Sequence, residues 1–323
     1  MIRRILNIFL NTRFVRRLNI VAHKISLPGF EGHSLYEVAA FFYRGINQGS
    51  LQLRAAAMAY SFFLALFPTL IFLFTLIPYI PSKELQPAIL KLMEDMLPEN
   101  AFAVLDDTIH DIVTRGNSGL LSFGFLAALY FSTNGFSAMI NGFNASVHVF
   151  EKRTMIKQQG VSFIFVFLLT VALVVMTTVL IYSEYWLKSA FDRPVLETIV
   201  VQVGRWMIIG FILIALIGTF YRLGPAARMS KYLISPGSLL SAFLILLTTM
   251  GFAWYVDNFG NYNKLYGSIG TVIVLLILIN WISMMLLIGF ELDAGIASAR
   301  AKRKSLLQQQ EAKAESSEQS EAI

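Results

Sequence analysis

The sequence contains no cysteine, and charged side chains make up only 14% of its 323 residues. Without cysteine the chain can form no disulfide and offers no thiolate nucleophile or Cys-ligated metal site. Average soluble domains carry about 25% charged residues. Hydrophobic residues reach 56% and mean hydropathy is +0.63, a surplus that one soluble core cannot bury. We therefore expect an integral membrane protein rather than a soluble enzyme.

Residues that catalyse hydrolysis are also scarce. The four histidines, His23, His33, His110 and His148, fall in separate segments, and only His110 has carboxylates beside it, at Asp106, Asp107 and Asp111. Protein nucleases use clustered carboxylates and histidines around metals or paired acid and base groups. Asp107 and Asp111 would share a helix face, so a weak cation site is conceivable, although a solvated acidic face is the simpler interpretation. No Gly-x-x-x-x-Gly-Lys-Ser/Thr loop for a nucleotide is present. The sequence thus predicts no enzyme, no cofactor and no nucleic-acid partner.

Six apolar stretches are long enough to cross a bilayer as helices, which takes about 20 residues each. They lie at 55–79, 119–141, 160–183, 199–221, 234–256 and 269–290. Most of the 26 Lys and Arg residues fall on one side of these spans when both termini are placed inside. The predicted fold class is therefore all-α, a polytopic bundle of six transmembrane helices with both termini cytoplasmic.

Three regions outside the spans differ in character. The cytoplasmic segment 1–54 begins with apolar residues at helical spacing among arginines, which predicts an amphipathic helix over 2–24, either on an anionic inner leaflet or packed on the protein. Residues 82–114 show a helical period and predict short helices over the outer face. The cytoplasmic tail 291–323 carries a basic segment, Arg300–Lys304, suited to anionic lipid, and its composition predicts disorder from about residue 308.

Several local patterns go beyond hydropathy. The first span holds Ala55-Ala56-Ala57-Met58-Ala59-Tyr60-Ser61 and Leu66-Phe67-Pro68. The fourth span ends in Tyr221-Arg222, and Pro225 follows it. The last span begins with Tyr266-Gly267-Ser268-Ile269-Gly270 and ends in Gly289-Phe290-Glu291-Leu292. From about residue 35 to 300 the chain resembles the YihY/BrkB family of bacterial inner-membrane proteins. Asp293 stands where that family often has Asn, and Phe290 where a small residue is usual.

The resemblance implies a six-helix fold in the bacterial inner membrane and a role in the cell envelope. The family was once labelled a tRNA-processing ribonuclease, ribonuclease BN. The scarcity of hydrolytic residues argues against that activity for this chain.

Polar side chains within hydrocarbon need protein partners or a water-filled cavity. We predict a substrate path where the first, second and sixth spans meet; its candidate residues are Asn280, Trp281, Asn134, Ser132, Tyr60 and Pro68. The alternative for each Asn is an interhelical hydrogen bond that holds the bundle together.

Small residues and edge charges have structural interpretations. Gly124 and Ala128 suit close helix packing, and Gly267 and Gly270 allow the last span to bend or pack closely where it begins. The cytoplasmic edge carries Arg54, Arg222 and Glu291. For Arg54 and Glu291 we expect an ion pair or a lipid contact rather than a coupling-ion site.

These observations favour a transporter or exporter of an envelope-related amphiphilic or anionic molecule, with membrane lipids as partners and a small molecule or lipid as substrate. The alternative is a membrane scaffold that organises envelope machinery without transport. A cavity reaching Asn280 or Asn134 would favour the transporter, and a fully packed bundle would favour the scaffold. The sequence leaves the substrate and the oligomeric state open.

Overall fold

The computed structural model describes residues 34–48, 50–76, 118–146, 148–149, 153–188, 194–227, 232–259 and 268–321. Seven helices make up nearly all of these ranges, and no strand occurs within them. They are α1 (Leu35–Gln48), α2 (Leu51–Leu76), α3 (Ser118–Asn144), α4 (Met155–Lys188), α5 (Pro194–Leu223), α6 (Pro236–Phe259) and α7 (Ser268–Glu321). The helices predicted over 2–24 and 82–114, the acidic cluster beside His110, and Gly267 lie outside the described residues.

Among the described residues, four helices are long and apolar enough to cross a membrane. The stretches that contain the apolar window are Met155–Leu180, Val203–Leu223, Pro236–Val256 and Val272–Ala312. The helices α2 and α3 coincide with the two remaining predicted spans, but the side chains of each are described only in part. The all-α polytopic membrane fold is confirmed, while the count of six spans stays a prediction.

The helices α2 to α7 form a ring in chain order. Each packs on the next, and α7 closes the ring by packing on α2, while α1 lies against α7 and α2. Contacts between helix ends show that α2, α4 and α6 begin at the end of the ring where α3 and α5 finish. We call this end, formed by residues 51–66, 132–146, 155–170, 217–225, 235–245 and 283–299, the sealed end.

Aromatic side chains fill the centre of the sealed end. Phe136, Phe165 and Phe220 contact one another, with ring centroids 4.7–5.9 Å apart. Beside them the rings of Phe143 and Phe290 stack at 4.5 Å, and Tyr221 meets both edge-on. We call these six residues the aromatic plug. Such pairs add about 0.5–1.5 kcal/mol each beyond the apolar area they bury, so the plug closes this end of the ring firmly.

Glycines let α6 and α7 approach closely near the plug. A Cβ on Gly289 would overlap the Ser241 hydroxyl and the Gly237 carbonyl, and a Cβ on Gly237 would overlap the Gly289 carbonyl. The two backbones therefore touch without intervening side chains, as small residues allow between membrane helices. The result is a closely joined helix pair at the sealed end.

The other half of the ring is far less packed. None of residues 203–216 of α5 and none of residues 272–282 of α7 is buried. Each range covers three helical turns or more and so includes every face of its helix. The inward faces of these two stretches are partly buried, and Leu213, Ile214, Leu216 and Ile282 still pack against the core.

One local feature differs from the sequence-based expectation. Disorder was expected from about residue 308, yet α7 continues to Glu321. Gln, Glu, Ala and Lys are good helix formers, and the preceding span supplies the nucleus that an isolated segment would lack. The helix α2 also continues through Pro68 without a break, and the Thr69 hydroxyl donates to the carbonyl of Ala65 at 2.6 Å.

Candidate functional site

A buried ion pair joins the first and last helices of the ring at the sealed end. Arg54, in the first turn of α2, places Nη2 2.5 Å from Oε1 of Glu291 on α7, and the two side chains are 7% and 0% exposed. Arg54 Nη1 donates to the Gly142 carbonyl at 2.9 Å, and Ser146 Oγ donates to Glu291 Oε2 at 2.9 Å. The α2–α7 ion pair thus also fixes the end of α3.

The helix α1 covers this ion pair. A Cβ on Gly45 of α1 would overlap the Glu291 carboxylate, so only glycine allows α1 to lie so close. Beside it, the ring of His148 bridges α1 and α7, with Nε2 3.1 Å from the Phe41 carbonyl and Nδ1 3.0 Å from Ser298 Oγ. This cover keeps water from the ion pair, which strengthens the attraction between its charges.

A second carboxylate holds the start of α6. Asp293, 3% exposed, accepts hydrogen bonds from Ser235 Oγ at 2.5 Å and from the backbone N–H of Gly237 at 2.8 Å. The first N–H groups of a helix lack intrahelical partners and favour a negative charge. Asp293 on α7 therefore caps α6 from outside that helix. Of the two departures from the family pattern, Asp293 forms this cap and Phe290 belongs to the aromatic plug.

Tyr221 connects three helices through its hydroxyl group. It donates to the Leu286 carbonyl of α7 at 2.5 Å and lies 2.5 Å from Ser241 Oγ of α6. Ser241 in turn donates to the carbonyl of Met285 at 2.8 Å. The Tyr221 and Ser241 hydroxyls are thus bonded to each other or to backbone, whereas Arg54 Nε at the same end is buried and makes no hydrogen bond with any described residue.

The predicted path residues do not come together. Ser132 and Asn280 lie on inner faces of α3 and α7, but Ser132 donates to Leu129 of its own helix. Asn134 is exposed and lies two residues, or about 200° of helix rotation, from Phe136 of the plug. Tyr60, 62% exposed, also lies opposite the inward face of α2, and Trp281, 44% exposed, packs edge-on against Phe252 of α6. Asn134 and Tyr60 therefore cannot line one inner cavity with Asn280.

Asn280 remains a candidate because its amide oxygen is buried and accepts no hydrogen bond from any residue that the structure describes. It lies eleven residues before Glu291, about 16 Å along α7, on the side of the aromatic plug away from the ion pair. A buried polar atom without a partner costs about 1–3 kcal/mol, and Arg54 Nε at the sealed end is in the same situation.

A cavity among the described residues lies away from the predicted substrate path. A groove of about 710 Å³ runs between α1, α2 and α7, lined among others by Ile46, Asn47, Leu51, Leu53, Ala56 and Met284. It touches α2 and α7 but not α3, and neither Asn280 nor Asn134 is among its lining residues.

The expectations for the charged residues at the cytoplasmic edge were an ion pair or a lipid contact. Arg54 and Glu291 form an ion pair and are too deeply buried to reach lipid headgroups. Arg222 is exposed at the end of α5, Ala128 and Gly270 are buried, and the burial of Gly124 lies outside what the structure describes. Sequence analysis did not identify His148, Ser146 and Asp293 as partners in the contacts around Glu291 and the start of α6. The available signal was that Ser146 and His148 follow α3 directly and that Asp293 lies two residues after Glu291.

Comparison with known proteins agrees with the membrane fold. The family model "Virulence factor BrkB" matches residues 42–314. The chain is 28% identical over 246 residues to the ribonuclease-like protein YfkH of Bacillus subtilis, an alignment that covers 75% of this chain and 89% of that one. It is 23% identical over 281 residues to a UPF0761 membrane protein of Aggregatibacter aphrophilus, an alignment that covers 83% of this chain and 95% of that one. It is 24% identical over 285 residues to a UPF0761 membrane protein of Histophilus somni, with 85% of this chain and 95% of that one covered. No solved structure matches.

Proposed function

Because the chain belongs to the virulence factor BrkB family of membrane proteins, we propose that it is a transporter or exporter of an envelope-related amphiphilic or anionic molecule. The observation that carries the proposal is Asn280, whose buried amide oxygen lacks a partner among the described residues. It lies in the less packed half of the ring, next to the aromatic plug. We propose that a path through this half ends at the plug, since access from one face to a barrier at the other is the arrangement that alternating access requires.

Flux through purified protein tests this function. Liposomes of phosphatidylethanolamine and phosphatidylglycerol, reconstituted with this protein alone, would carry a nitrobenzoxadiazole-labelled phosphatidylglycerol as an anionic amphiphilic probe. Dithionite quenching then reports the rate at which the probe crosses the bilayer. We expect faster crossing than in empty liposomes, and its loss in Asn280→Leu at equal protein amount.

Trp281→Leu is the matched control, because Trp281 follows Asn280 in the chain but lies about 100° around α7 from it, edge-on against Phe252 of α6. It should keep the flux of the unchanged protein. If neither the unchanged protein nor Trp281→Leu moves the probe while both remain folded, the scaffold function is favoured. That alternative has its own support in α7, which continues past the sealed end with residues 301–312 exposed and so offers a surface for partner proteins.

We also propose that the chain is not a ribonuclease, although YfkH of Bacillus subtilis carries a ribonuclease-like name. His148, the histidine within the described residues, has both ring nitrogens engaged by Phe41 and Ser298. Glu291, near it, has both carboxylate oxygens engaged by Arg54 and Ser146. Groups so engaged are poorly placed to act as acid and base on a phosphodiester.

We further propose that the protein lies in the bacterial inner membrane with both termini cytoplasmic, so that the sealed end faces the cytoplasm. Reporter fusions after residues 152, 228 and 305 should then read as inside, and those after 114, 190 and 262 as outside. A single inversion would refute this topology. The basic segment Arg300–Lys304 would lie at the inner leaflet, and vesicles containing phosphatidylglycerol should bind it more tightly than neutral vesicles.

A further inference from the structure

The start of α4 projects from the packed part of the sealed end. Residues 154–157 are all exposed, and four consecutive residues cover every side of a helix. Met155 and Ile156 are 91% and 87% exposed, the highest values among the large hydrophobic side chains that the structure describes. The next two residues, Gln158 and Gln159, already bond to α3. The first turn of α4 therefore lies outside the helix bundle.

Three basic side chains lie in or next to this turn. Lys157 belongs to it, and Arg153 lies two residues before α4. Arg153 Nη1 donates a hydrogen bond to the Leu223 carbonyl at 2.7 Å, which fixes the start of α4 to the end of α5, where Arg222 is the preceding residue. Lys157 and Arg222 are exposed and form no ion pair with any residue that the structure describes. We call Arg153, Met155, Ile156, Lys157 and Arg222 the basic corner.

The position of the basic corner along the helices matches the headgroup layer of a membrane. Met155 lies five residues before the predicted span that starts at residue 160, about 7.5 Å along the helix. Arg222 directly follows the predicted span that ends at residue 221. The headgroup layer on each side of a hydrocarbon core is about 5–8 Å thick. Apolar side chains in this layer reach the acyl chains, and basic side chains reach the phosphates.

We propose that the basic corner binds an anionic phospholipid. Its three basic side chains bind the phosphate, and its two apolar side chains contact the acyl chains. Hydrogen bonds from guanidinium and ammonium groups to phosphate are charge-assisted and therefore strong. A guanidinium has five N–H donors, so Arg153 keeps most of its donors for the phosphate while its bond to α5 holds it in place. A side chain that is already held loses less freedom when a ligand binds.

An anionic phospholipid fits the basic corner better than a partner protein or a neutral lipid does. A stable protein interface takes about 20–30 residues on each side, whereas the corner offers five. Glu291 and Asp293, the buried carboxylates of the sealed end, are bonded inside the protein and so do not neutralise the corner. A phosphatidylcholine headgroup carries a cation of its own, which three basic side chains repel. A phosphatidylglycerol headgroup carries only the negative charge.

Fluorescence quenching by brominated lipid tests the site locally, since the chain has no cysteine of its own. Ile156→Cys, labelled with bimane in the full-length protein, is placed in liposomes of phosphatidylglycerol and phosphatidylcholine in which one of the two lipids has brominated acyl chains. We expect phosphatidylglycerol to quench more strongly at equal mole fraction, because it is enriched at the corner. Met155→Cys repeats the measurement at the neighbouring position. Met250→Cys on α6, exposed within a predicted span, is the control and should be quenched equally by both lipids.

Charge variants show which groups are responsible. Lys157→Gln and Arg222→Gln should each weaken phosphatidylglycerol binding at residue 156 about fivefold, as measured from the dependence of quenching on lipid fraction. Lys302→Gln combined with Lys304→Gln removes two charges elsewhere at the same end and should leave the quenching at residue 156 unchanged. Equal quenching by both lipids, or quenching by neither because water or a protein covers the turn, would overturn the proposal. Loss of the preference in added inorganic phosphate would also overturn it, because the site would then recognise free phosphate rather than lipid.

Discussion

Removing one partner of the α2–α7 ion pair should destabilise the protein strongly. Glu291→Leu leaves the Arg54 guanidinium buried without its counter-charge and removes the acceptor of the Ser146 hydroxyl. Arg54→Met leaves the Glu291 carboxylate without its counter-charge and removes the side-chain donor to the Gly142 carbonyl. Breaking a buried pair in this way typically costs about 3–5 kcal/mol. We expect each single substitution to lower the free energy of unfolding by about that amount.

The double variant separates the value of the pair from the penalty of an unpaired charge. With Arg54→Met and Glu291→Leu combined, no buried charge is left, and apolar residues of similar volume often replace a buried pair at little cost. We expect the double variant to be more stable than either single variant by at least about 2 kcal/mol, a strongly non-additive cycle. Arg222→Met, at an exposed arginine of the same end, should change stability by less than about 0.5 kcal/mol.

Unfolding in detergent micelles, followed by tryptophan fluorescence against increasing denaturant, would give these free energies. Thermal aggregation of a tagged protein gives the same rank order where unfolding is irreversible. If Glu291→Leu and Arg54→Met behave like Arg222→Met, the two charges are not buried together. If their costs add in the double variant, they do not act on each other.

Four further outcomes follow from the packing and composition described above. Gly289→Ala should cost about 1–3 kcal/mol by forcing α6 and α7 apart, whereas Gly210→Ala, where a Cβ meets nothing within 4 Å, should be neutral or stabilising in the same unfolding assay. Tyr221→Phe should cost about 1–3 kcal/mol, because the Leu286 carbonyl loses its donor; an unchanged midpoint would contradict this. A chain cut after Leu307 should reach the membrane in normal amount on an immunoblot, since the lost residues bury little apolar surface. Purified protein should leave RNA intact with Mg²⁺, Mn²⁺ or Zn²⁺, and activity that persists through repurification would contradict the non-enzyme proposal.

Hydropathy predicted the helices well because the length of an apolar run depends only on the local sequence. The runs at 160–183, 199–221, 234–256 and 269–290 each lie within or nearly within one helix, α4 to α7. The ion pair was predicted only as one of two alternatives. Arg54 and Glu291 are 237 residues apart in the chain, and nothing in the local pattern of either reveals that the ring brings them together.

The faces of the helices could not be predicted for a physical reason. A helix in hydrocarbon has apolar residues on all sides, so the contrast that distinguishes the core face of a soluble helix is missing. Asn134 and Asn280 therefore looked alike as polar residues within predicted spans. Only the packing of Phe136 toward the plug shows that Asn134 points the other way, and only the ring shows that Asn280 points in.

The cover that α1 provides for the α2–α7 ion pair makes closure of the sealed end cooperative. The attraction between two charges grows several-fold when the surroundings change from water to a dry interior. Exclusion of water thus strengthens the link that keeps water out, and the first water molecules to enter weaken it. Any displacement of α1 would consequently weaken the attraction between α2 and α7, so the strength of this contact depends on the position of a third helix.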